Sequence, residues 1–338
     1  MGVSIGDIIE NKKLTFDEVR GKIAIDAYNT LYQFLSIIRQ QDGTPLMDSQ
    51  GRVTSHLSGL FYRTCNLLEK GIQPIFVFDG KPSDLKKRTL DERREKKQMA
   101  AEEYERAKEM GKTDELKLYA QQTSKLTREM AKEAMDLLTL MGVPIVQAKS
   151  EGEAQCSWMC KNNLVDATGS QDFDALLFGT PILVKNLTIA GRRKLPRKNI
   201  FIEVVPERIN LEENLVRLGI SQQKLIWIGI LAGTDFNPGI HGIGSKKALK
   251  LVREHDSMES ILKAIGKEID FEPVENLFMN PEVEEVKIED IAFKTPDKDK
   301  IIDYMLGRNF SIERLQSSLA RAYKEPFGSM QSSLEKWF

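Results

Sequence analysis

Val165-Asp166-Ala167-Thr168-Gly169-Ser170-Gln171-Asp172-Phe173-Asp174-Ala175-Leu176-Leu177-Phe178-Gly179 sets two carboxylates, Asp172 and Asp174, just behind a short apolar run. The run around Leu164 to Ala167 is too short for a helix and reads as a buried strand. Open α/β sheets place their ligands in the crevice outside the carboxyl ends of the strands, where these two acids fall. Two carboxylates two residues apart are hard oxygen donors, suited to Mg²⁺ or Mn²⁺ rather than zinc. A lone D-x-D is also what an ordinary acidic loop looks like. The reading therefore depends on whether other strands end in acids too.

They do. Lys22-Ile23-Ala24-Ile25-Asp26 reads as a strand ending in Asp26, and Pro74-Ile75-Phe76-Val77-Phe78-Asp79-Gly80 as one ending in Asp79. After a short strand at Val143 to Val146, Glu151 and Glu153 open a helix that continues to about Asn162. Ser150 with Glu153 matches a capping box, which gives Glu153 a purely structural alternative. A very apolar helix from Ser221 to Leu231 leads into Gly233-Thr234-Asp235, the seventh candidate. If the seven converge, neighbours ~5 Å apart repel by roughly 3 kcal/mol per pair at an effective dielectric of 20. Either the acids are scattered or divalent cations neutralise them, and two ions would clamp a phosphodiester.

Between these acids the periodicity gives helices over Tyr28–Ile38, Ser55–Glu69 and Arg128–Met141. Residues 84–133 are highly charged with a thin apolar stripe, which predicts helix interrupted near Gly111. That composition fits a solvated helical face, or a basic helical arch over the active centre. Pro181–Leu187 and Asn199–Val205 read as strands flanking a basic turn, Ala190-Gly191-Arg192-Arg193-Lys194. Gly242-Ile243-Gly244 precedes a basic helix carrying Lys246 and Lys247, and exposes backbone N–H groups to a phosphate in the manner of a helix–hairpin–helix. Residues 257–322 look helical, with loops near 270–300. The chain ends Gln331-Ser332-Ser333-Leu334-Glu335-Lys336-Trp337-Phe338, where one helical turn puts Leu334, Trp337 and Phe338 on one face as a docking plug for an apolar pocket.

The 338 residues, 41% of them hydrophobic, can bury a large core, and no apolar run approaches a membrane span. No signal peptide precedes Met1-Gly2-Val3, and three sparse cysteines, Cys65, Cys156 and Cys160, point to a reducing, intracellular compartment. The net charge of −1 says nothing about nucleic acid, but its distribution does. Lys81–Lys97 holds eight Lys/Arg against four Asp/Glu, Lys185–Lys198 six against none, and His241–Arg253 four against none. Basic blocks beside gathered acids suit an anionic polymer held over a metal-filled centre. No P-loop is present, so ATP hydrolysis is not supported, and no Ser-His-Asp or Cys-His arrangement competes for the chemistry.

Jointly, Ile25-Asp26-Ala27, Val77-Phe78-Asp79-Gly80-Lys81-Pro82, Glu151-Gly152-Glu153-Ala154-Gln155-Cys156, Ser170-Gln171-Asp172-Phe173-Asp174, Gly233-Thr234-Asp235 and Gly242-Ile243-Gly244 resemble the flap endonucleases of the XPG-type 5′ nuclease superfamily. The resemblance runs the length of the chain. It implies an α/β fold: a mostly parallel twisted sheet flanked by helices, the PIN-like core, with a helical arch and a helix–hairpin–helix. One nuclease domain would span 1–325, made of 1–83, the arch 84–133, a second core part 134–258 with the hairpin motif around 221–254, and a helical part 259–325. A flexible tail, 326–338, would follow.

The implied activity is metal-dependent incision of 5′ flaps near the duplex junction, with 5′–3′ exonuclease activity, in Okazaki-fragment maturation and repair. Asp26, Asp79, Glu151 and Glu153 would serve one Mg²⁺, and Asp172, Asp174 and Asp235 mainly a second, with Mn²⁺ able to substitute. Lys86 and Arg93 match the basic residues at the arch base that engage the scissile phosphate. Tyr32 matches an aromatic that stacks on a base, and Gly2 the N-terminal segment at the site's edge. Gly242 and Gly244 match the hairpin that grips the duplex backbone, often with K⁺. The last eight residues look like the motif that binds the sliding clamp, PCNA, and ending there looks archaeal. A monomer is expected. The alternatives are another 5′ nuclease of the superfamily, a junction resolvase or single-strand nuclease, or a clamp-bound DNA scaffold without chemistry. Many relatives have Glu-Ala-Glu where this chain has Glu-Gly-Glu, with the acids' spacing kept.

Overall fold

The structure is a computed structural model that describes residues 2–40, 43–109, 125–188, 191–194 and 201–324. Its strands are β1 (Lys12–Lys13), β2 (Gly21–Asp26), β3 (Ile72–Phe78), β4 (Ile145–Gln147), β5 (Ala167–Gly169), β6 (Ile182–Lys185), β7 (Gly191–Lys194), β8 (Phe201–Val204) and β9 (Glu207–Asn210). The helices are α1 (Ala27–Ile37), α2 (Ser55–Glu69), α3 (Lys87–Glu109), α4 (Arg128–Leu140), α5 (Gly152–Lys161), α6 (Asp174–Leu177), α7 (Leu211–Leu218), α8 (Gln222–Ala232), α9 (Ser245–Glu254), α10 (Met258–Ile265), α11 (Glu272–Met279), α12 (Lys298–Leu306) and α13 (Ile312–Ala322).

Seven strands form one mixed sheet in the order β1-β9-β6-β5-β2-β3-β4. β5 runs parallel to both β2 and β6, whereas β9 is antiparallel to β6 and to β1. The central strands β2 and β3 are near-continuous apolar runs because their residues are buried on both faces. The antiparallel edge sharpens the mostly parallel expectation: Glu207–Asn210 returns directly beside β6 and needs no crossover helix.

Two local expectations are corrected. The apolar run Leu164–Ala167 is strand only from Ala167 onward. Asn163 takes a left-handed conformation (φ 56°) and Leu164 N–H donates back to the Met159 carbonyl, so this stretch closes α5 instead of joining the sheet. Of the basic segment, the described residues 191–194 are not a turn. Gly191–Lys194 is extended and pairs antiparallel with Phe201–Val204, Gly191 opposite Val204, as a two-stranded ribbon apart from the main sheet. Phe201–Val204 pairs with the basic segment rather than with β6.

The chain folds as two compact units, each visited three times by the backbone: Met1–Thr30, Ile75–Lys96 and Val146–Ile291, and Leu31–Pro74, Lys97–Ile145 and Ala292–Phe338. In the first, α5 to α11 bury a large apolar cluster that includes Leu176, Leu183, Ile226, Ile230 and Phe278. A second cluster, with Ala24, Ile75, Val77, Cys156 and Met159, lies on the same unit's strands. In the other unit α2 packs on α4 and α13. Gly59 is needed there, because a Cβ would come within 2.2 Å of the Phe34 ring. Cys65, Cys156 and Cys160 are free and buried. Among the described residues no helix is long and apolar enough to cross a membrane.

Candidate active site

All seven predicted carboxylates belong to the first unit. Asp26 is the last residue of β2, Asp79 follows β3, and Glu151 and Glu153 open α5. Asp172 and Asp174 follow β5, and Asp235 follows α8. Asp26, Glu151, Asp174 and Asp235 are buried, and Asp79, Glu153 and Asp172 are half-buried.

Each acid is held by a specific donor. Asn29 N–H donates to Asp26 Oδ1 (2.9 Å), so Asp26 caps α1, and the Asn29 side chain donates to Asp172 Oδ2 (2.8 Å). Gly152 N–H donates to Asp79 Oδ1 (2.7 Å) and Val3 N–H to Asp174 Oδ1 (2.6 Å). The Ser170 hydroxyl donates to Glu153 Oε1. Lys86 pairs with Glu151, and Arg93 with Asp235.

The capping box at Ser150 and Glu153 does not form. Glu151 is the N-cap without a side-chain bond, the free N–H of Gly152 is taken by Asp79, and Glu153 turns to Ser170. A neighbouring strand thus satisfies the helix end that a local capping box satisfies elsewhere. The glycine of Glu-Gly-Glu leaves room for this approach: a Cβ at Gly152 would sit 2.6 Å from Asp79 Oδ1, so an alanine there would shift the carboxylate by a few tenths of an ångström.

The electrostatics show that the acids share one field. Burial, then repulsion from Asp79, pushes the Asp26 carboxyl up to about 8, with partial relief from the Asn29 N–H. Burial and Glu151 push Asp79 up to about 6, with Lys86 pulling the other way. Burial, against the Val3 N–H, and repulsion from Asp235 and Asp172 push Asp174 up to about 7. Burial with repulsion from Asp174, Asp172 and Asp26 holds Glu153 well above the carboxylate range. Burial works against the Lys86 ammonium, yet Glu151, Asp79 and Asp235 prevail and raise it above the usual lysine value.

Among the described residues no three His, Cys, Asp or Glu side chains already form a coordination shell. The donors named above account for this: Lys86, Arg93, Asn29 and Ser170 occupy carboxylate oxygens that would otherwise face one another. The residues fit divalent metal all the same. Every donor is a hard oxygen, and several carboxyls cannot ionise together near neutral pH without added positive charge.

Other predicted residues fall as follows. Gly2 lies against Asp174, where a Cβ would meet the carboxyl at 2.8 Å. Tyr32 is in the other unit, on α1, and 37% exposed. Gly242 has φ 79°, Gly244 is the N-cap of α9, and Lys246 and Lys247 are exposed in that helix's first turn. Arg192, Arg193 and Lys194 are on β7. Gln331, Leu334, Trp337 and Phe338 lie outside the described residues, as does the part of the arch from 110 to 124.

Sequence reasoning passed over Asn29, Ser170 and Lys185. Asn29 stands three residues after Asp26, a spacing that capping logic could have flagged. Lys185 ends β6 and lies 3.5 Å from the centre of the Phe173 ring, and burial lowers its pKa despite nearby Glu207, Asp172 and Glu153. No sequence signal marks it beyond its place in a basic block.

Comparison with known proteins shows the family. Residues 5–100 match the XPG N-terminal domain and residues 142–235 the XPG I-region, which together hold all seven acids. The chain is 49% identical over 342 residues to Flap endonuclease 1 of Thermococcus onnurineus, covering 100% of this chain and 99% of that one. It is 48% identical over 342 residues to Flap endonuclease 1 of Pyrococcus furiosus, with the same coverage. Among solved structures, flap endonuclease-1 from Methanococcus jannaschii aligns with a TM-score of 0.74 at 38% identity, over 96% of this chain and 98% of that one. Human GEN1, solved with Holliday junction DNA, shares the fold at a TM-score of 0.64 and 18% identity, over 92% of this chain and 74% of its own. The chain belongs to the flap endonuclease family of metal-dependent XPG nucleases.

Proposed function

We propose that the protein is a structure-specific 5′ flap endonuclease acting on branched DNA, with seven carboxylates that serve two Mg²⁺ ions, or Mn²⁺ in their place. The observation that carries this reading is the field just described: Asp26, Asp79, Glu153 and Asp174 are each pushed up by burial and by one another. Acids arranged so that they cannot all ionise alone are arranged for a divalent cation.

Asp26, Asp79, Glu151 and Glu153 would hold one ion, and Asp172, Asp174 and Asp235 the other. When bound, the ions supply Lewis-acid stabilisation of the scissile phosphate and a hydroxide drawn from bound water. The chain's own part is orientation. Asn29, with one donor on Asp26 and another on Asp172, keeps those two carboxylates in fixed relation. Val3 and Gly152 fix Asp174 and Asp79 through rigid backbone N–H groups. Lys86 and Arg93, paired here with Glu151 and Asp235, would be the cations that engage the scissile phosphate.

Gly242, Gly244, Lys246 and Lys247 would track the duplex phosphates, with K⁺ at the hairpin, and the β7 basic residues would add to that surface. Tyr32 would stack on a base near the cut. The Gln331–Phe338 segment would dock on the sliding clamp of an archaeal replication system, in Okazaki-fragment maturation and repair. The domain reading, a single nuclease domain over 1–325 with a tail at 326–338, belongs to the same proposal.

The test is a gel assay on labelled double-flap, 5′-overhang and single-stranded DNA, with Mg²⁺ or EDTA. A short product cut at the flap base, seen only with metal, is expected. Degradation of all three substrates alike would keep the metal centre and overturn the flap reading.

A further inference from the structure

Three side chains at the base of α3 reach the Asp235 and Glu151 loops. Lys86 ends the 3-10 turn Asp84–Lys86 that leads into α3, and Thr89 and Arg93, four apart, share a face of the helix itself. Leu85, just before them, packs against the apolar core, and Lys86 Nζ lies 5.6 Å from the centre of the Phe236 ring. The three contacts differ in kind. Lys86 and Arg93 end on the carboxylates of Glu151 and Asp235. The Thr89 hydroxyl donates instead to the backbone carbonyl of Asp235, at 2.6 Å.

That carbonyl sits in a stiff turn. Thr234 N–H donates to the Asn237 carbonyl (3.0 Å), the Thr234 hydroxyl to Asn237 Oδ1 (2.8 Å), and the Asn237 side chain to the Ile230 carbonyl (2.7 Å). A threonine inside a helix ordinarily returns its hydroxyl to its own preceding turn, and it is a weak helix former. Here the hydroxyl leaves the helix and grips a fixed point in the active site.

We propose that Thr89 is a positioning residue: it keeps the base of α3 in register with the Asp235 loop while Lys86 and Arg93 change partners, and so sets where Arg93 delivers its guanidinium. The inference rests on the reading of Arg93 as a phosphate-engaging group. The two ion pairs must open if metal is to claim Glu151 and Asp235. The hydroxyl-to-carbonyl bond involves no carboxylate oxygen and need not open. It is therefore the contact that can persist through the exchange.

The experiment is a double-mutant cycle on the full chain with Mg²⁺ and a 5′-flap substrate. Single-turnover cleavage rate and flap-binding affinity are measured for wild type, Thr89→Val, Thr89→Ser, Arg93→Ala and Thr89→Val/Arg93→Ala. Valine keeps the shape and removes the donor; serine keeps the donor. Thr89→Val should slow single-turnover cleavage roughly three- to tenfold, the range of one lost hydrogen bond, with flap affinity within about twofold of wild type. Thr89→Ser should recover the rate. On the Arg93→Ala background Thr89→Val should cost nothing more, because it acts through Arg93. An unchanged rate in Thr89→Val, a serine variant as slow as valine, or the same loss on both backgrounds overturns the proposal. Arg93→Ala cutting at the wild-type rate overturns the Arg93 reading itself, which is a separate result.

Discussion

Glu153 and Glu133 are both glutamates drawn partly out of water, one in each unit, and their carboxyls shift in opposite directions. Glu133 accepts from the His56 ring and from both Arg308 Nε and Nη2, at 3.0, 3.2 and 2.9 Å, and the Tyr304 hydroxyl donates to its backbone carbonyl at 3.2 Å. The His56 bond, against burial and with Arg308 helping, holds its pKa below the usual glutamate value. Glu153 has one hydroxyl donor, Ser170, and three acids for neighbours, and burial drives its pKa well up. The second unit pairs its half-buried carboxylate with cationic and ring donors as a structural network, although His56 Nδ1 has no partner among the described residues. The first keeps a deficit of positive charge, and a deficit of that kind marks a functional site rather than a packing solution.

The largest expected effect tests that deficit at its centre. Asp172→Asn should lower flap cleavage on the order of 10³-fold, since a metal contact supplies several kcal/mol of transition-state stabilisation, while flap binding stays near wild type. A variant that still cut at the wild-type rate would remove the metal assignment.

The contrast between the two glutamates can be broken next, by calorimetry in EDTA at pH 8. Glu133→Ala strands Arg308 and should cost about 3 kcal/mol, a melting temperature lower by roughly 4 °C. Glu153→Gln removes one repelling charge, keeps an acceptor for Ser170, and should raise the metal-free melting temperature by a few degrees. If both variants lose stability alike, Glu153 is a structural residue and the contrast fails.

A pH profile of the metal-free protein sharpens the same contrast. Asp26, Asp174 and Asp79 titrate near 8, 7 and 6 in the folded state, against an ordinary aspartate value of 3.8. Between about pH 4 and 8 the folded state therefore binds more protons than the unfolded chain, and stability falls as pH rises through that window. Glu133 works the other way: its contribution is present above the usual glutamate value and is lost as pH falls through its depressed folded value. Melting temperature in EDTA should thus decline from pH 5 to pH 8, and Mg²⁺ should flatten the decline by binding only the folded form. A profile that rises over that range without metal would contradict the shared field.

Much of the site is legible in the sequence, for a simple reason. Strand ends are marked by apolar runs, and acids placed at those ends are local features of the chain. Asp26, Asp79 and Asp172 can be placed this way, and the spacing of Glu151 and Glu153 survives their glycine. The helices over Ser55–Glu69 and Arg128–Leu140 follow their periodicity closely; the second buries a single apolar face, and the first is buried more widely between α4 and α13. The network around Glu133 is not legible. It joins His56, Glu133 and Arg308, which are 77 and 175 residues apart, and no local pattern in the sequence links them.

The sequence by itself determined which residues could bind metal, where most of the helices and the central strands β2 and β3 lie, and which family the chain resembles. All of these depend on residue type and short-range spacing. Only the tertiary structure decided that Glu153 pairs with Ser170 rather than closing a capping box, and that the Gly152 N–H goes to Asp79. It alone turned the basic stretch at 191–194 into a strand and aimed Thr89 at the carbonyl of Asp235. Each of those outcomes is a competition for one hydrogen-bond partner or one small volume between a local claimant and a distant one. The distant claimant is known only once the chain has folded.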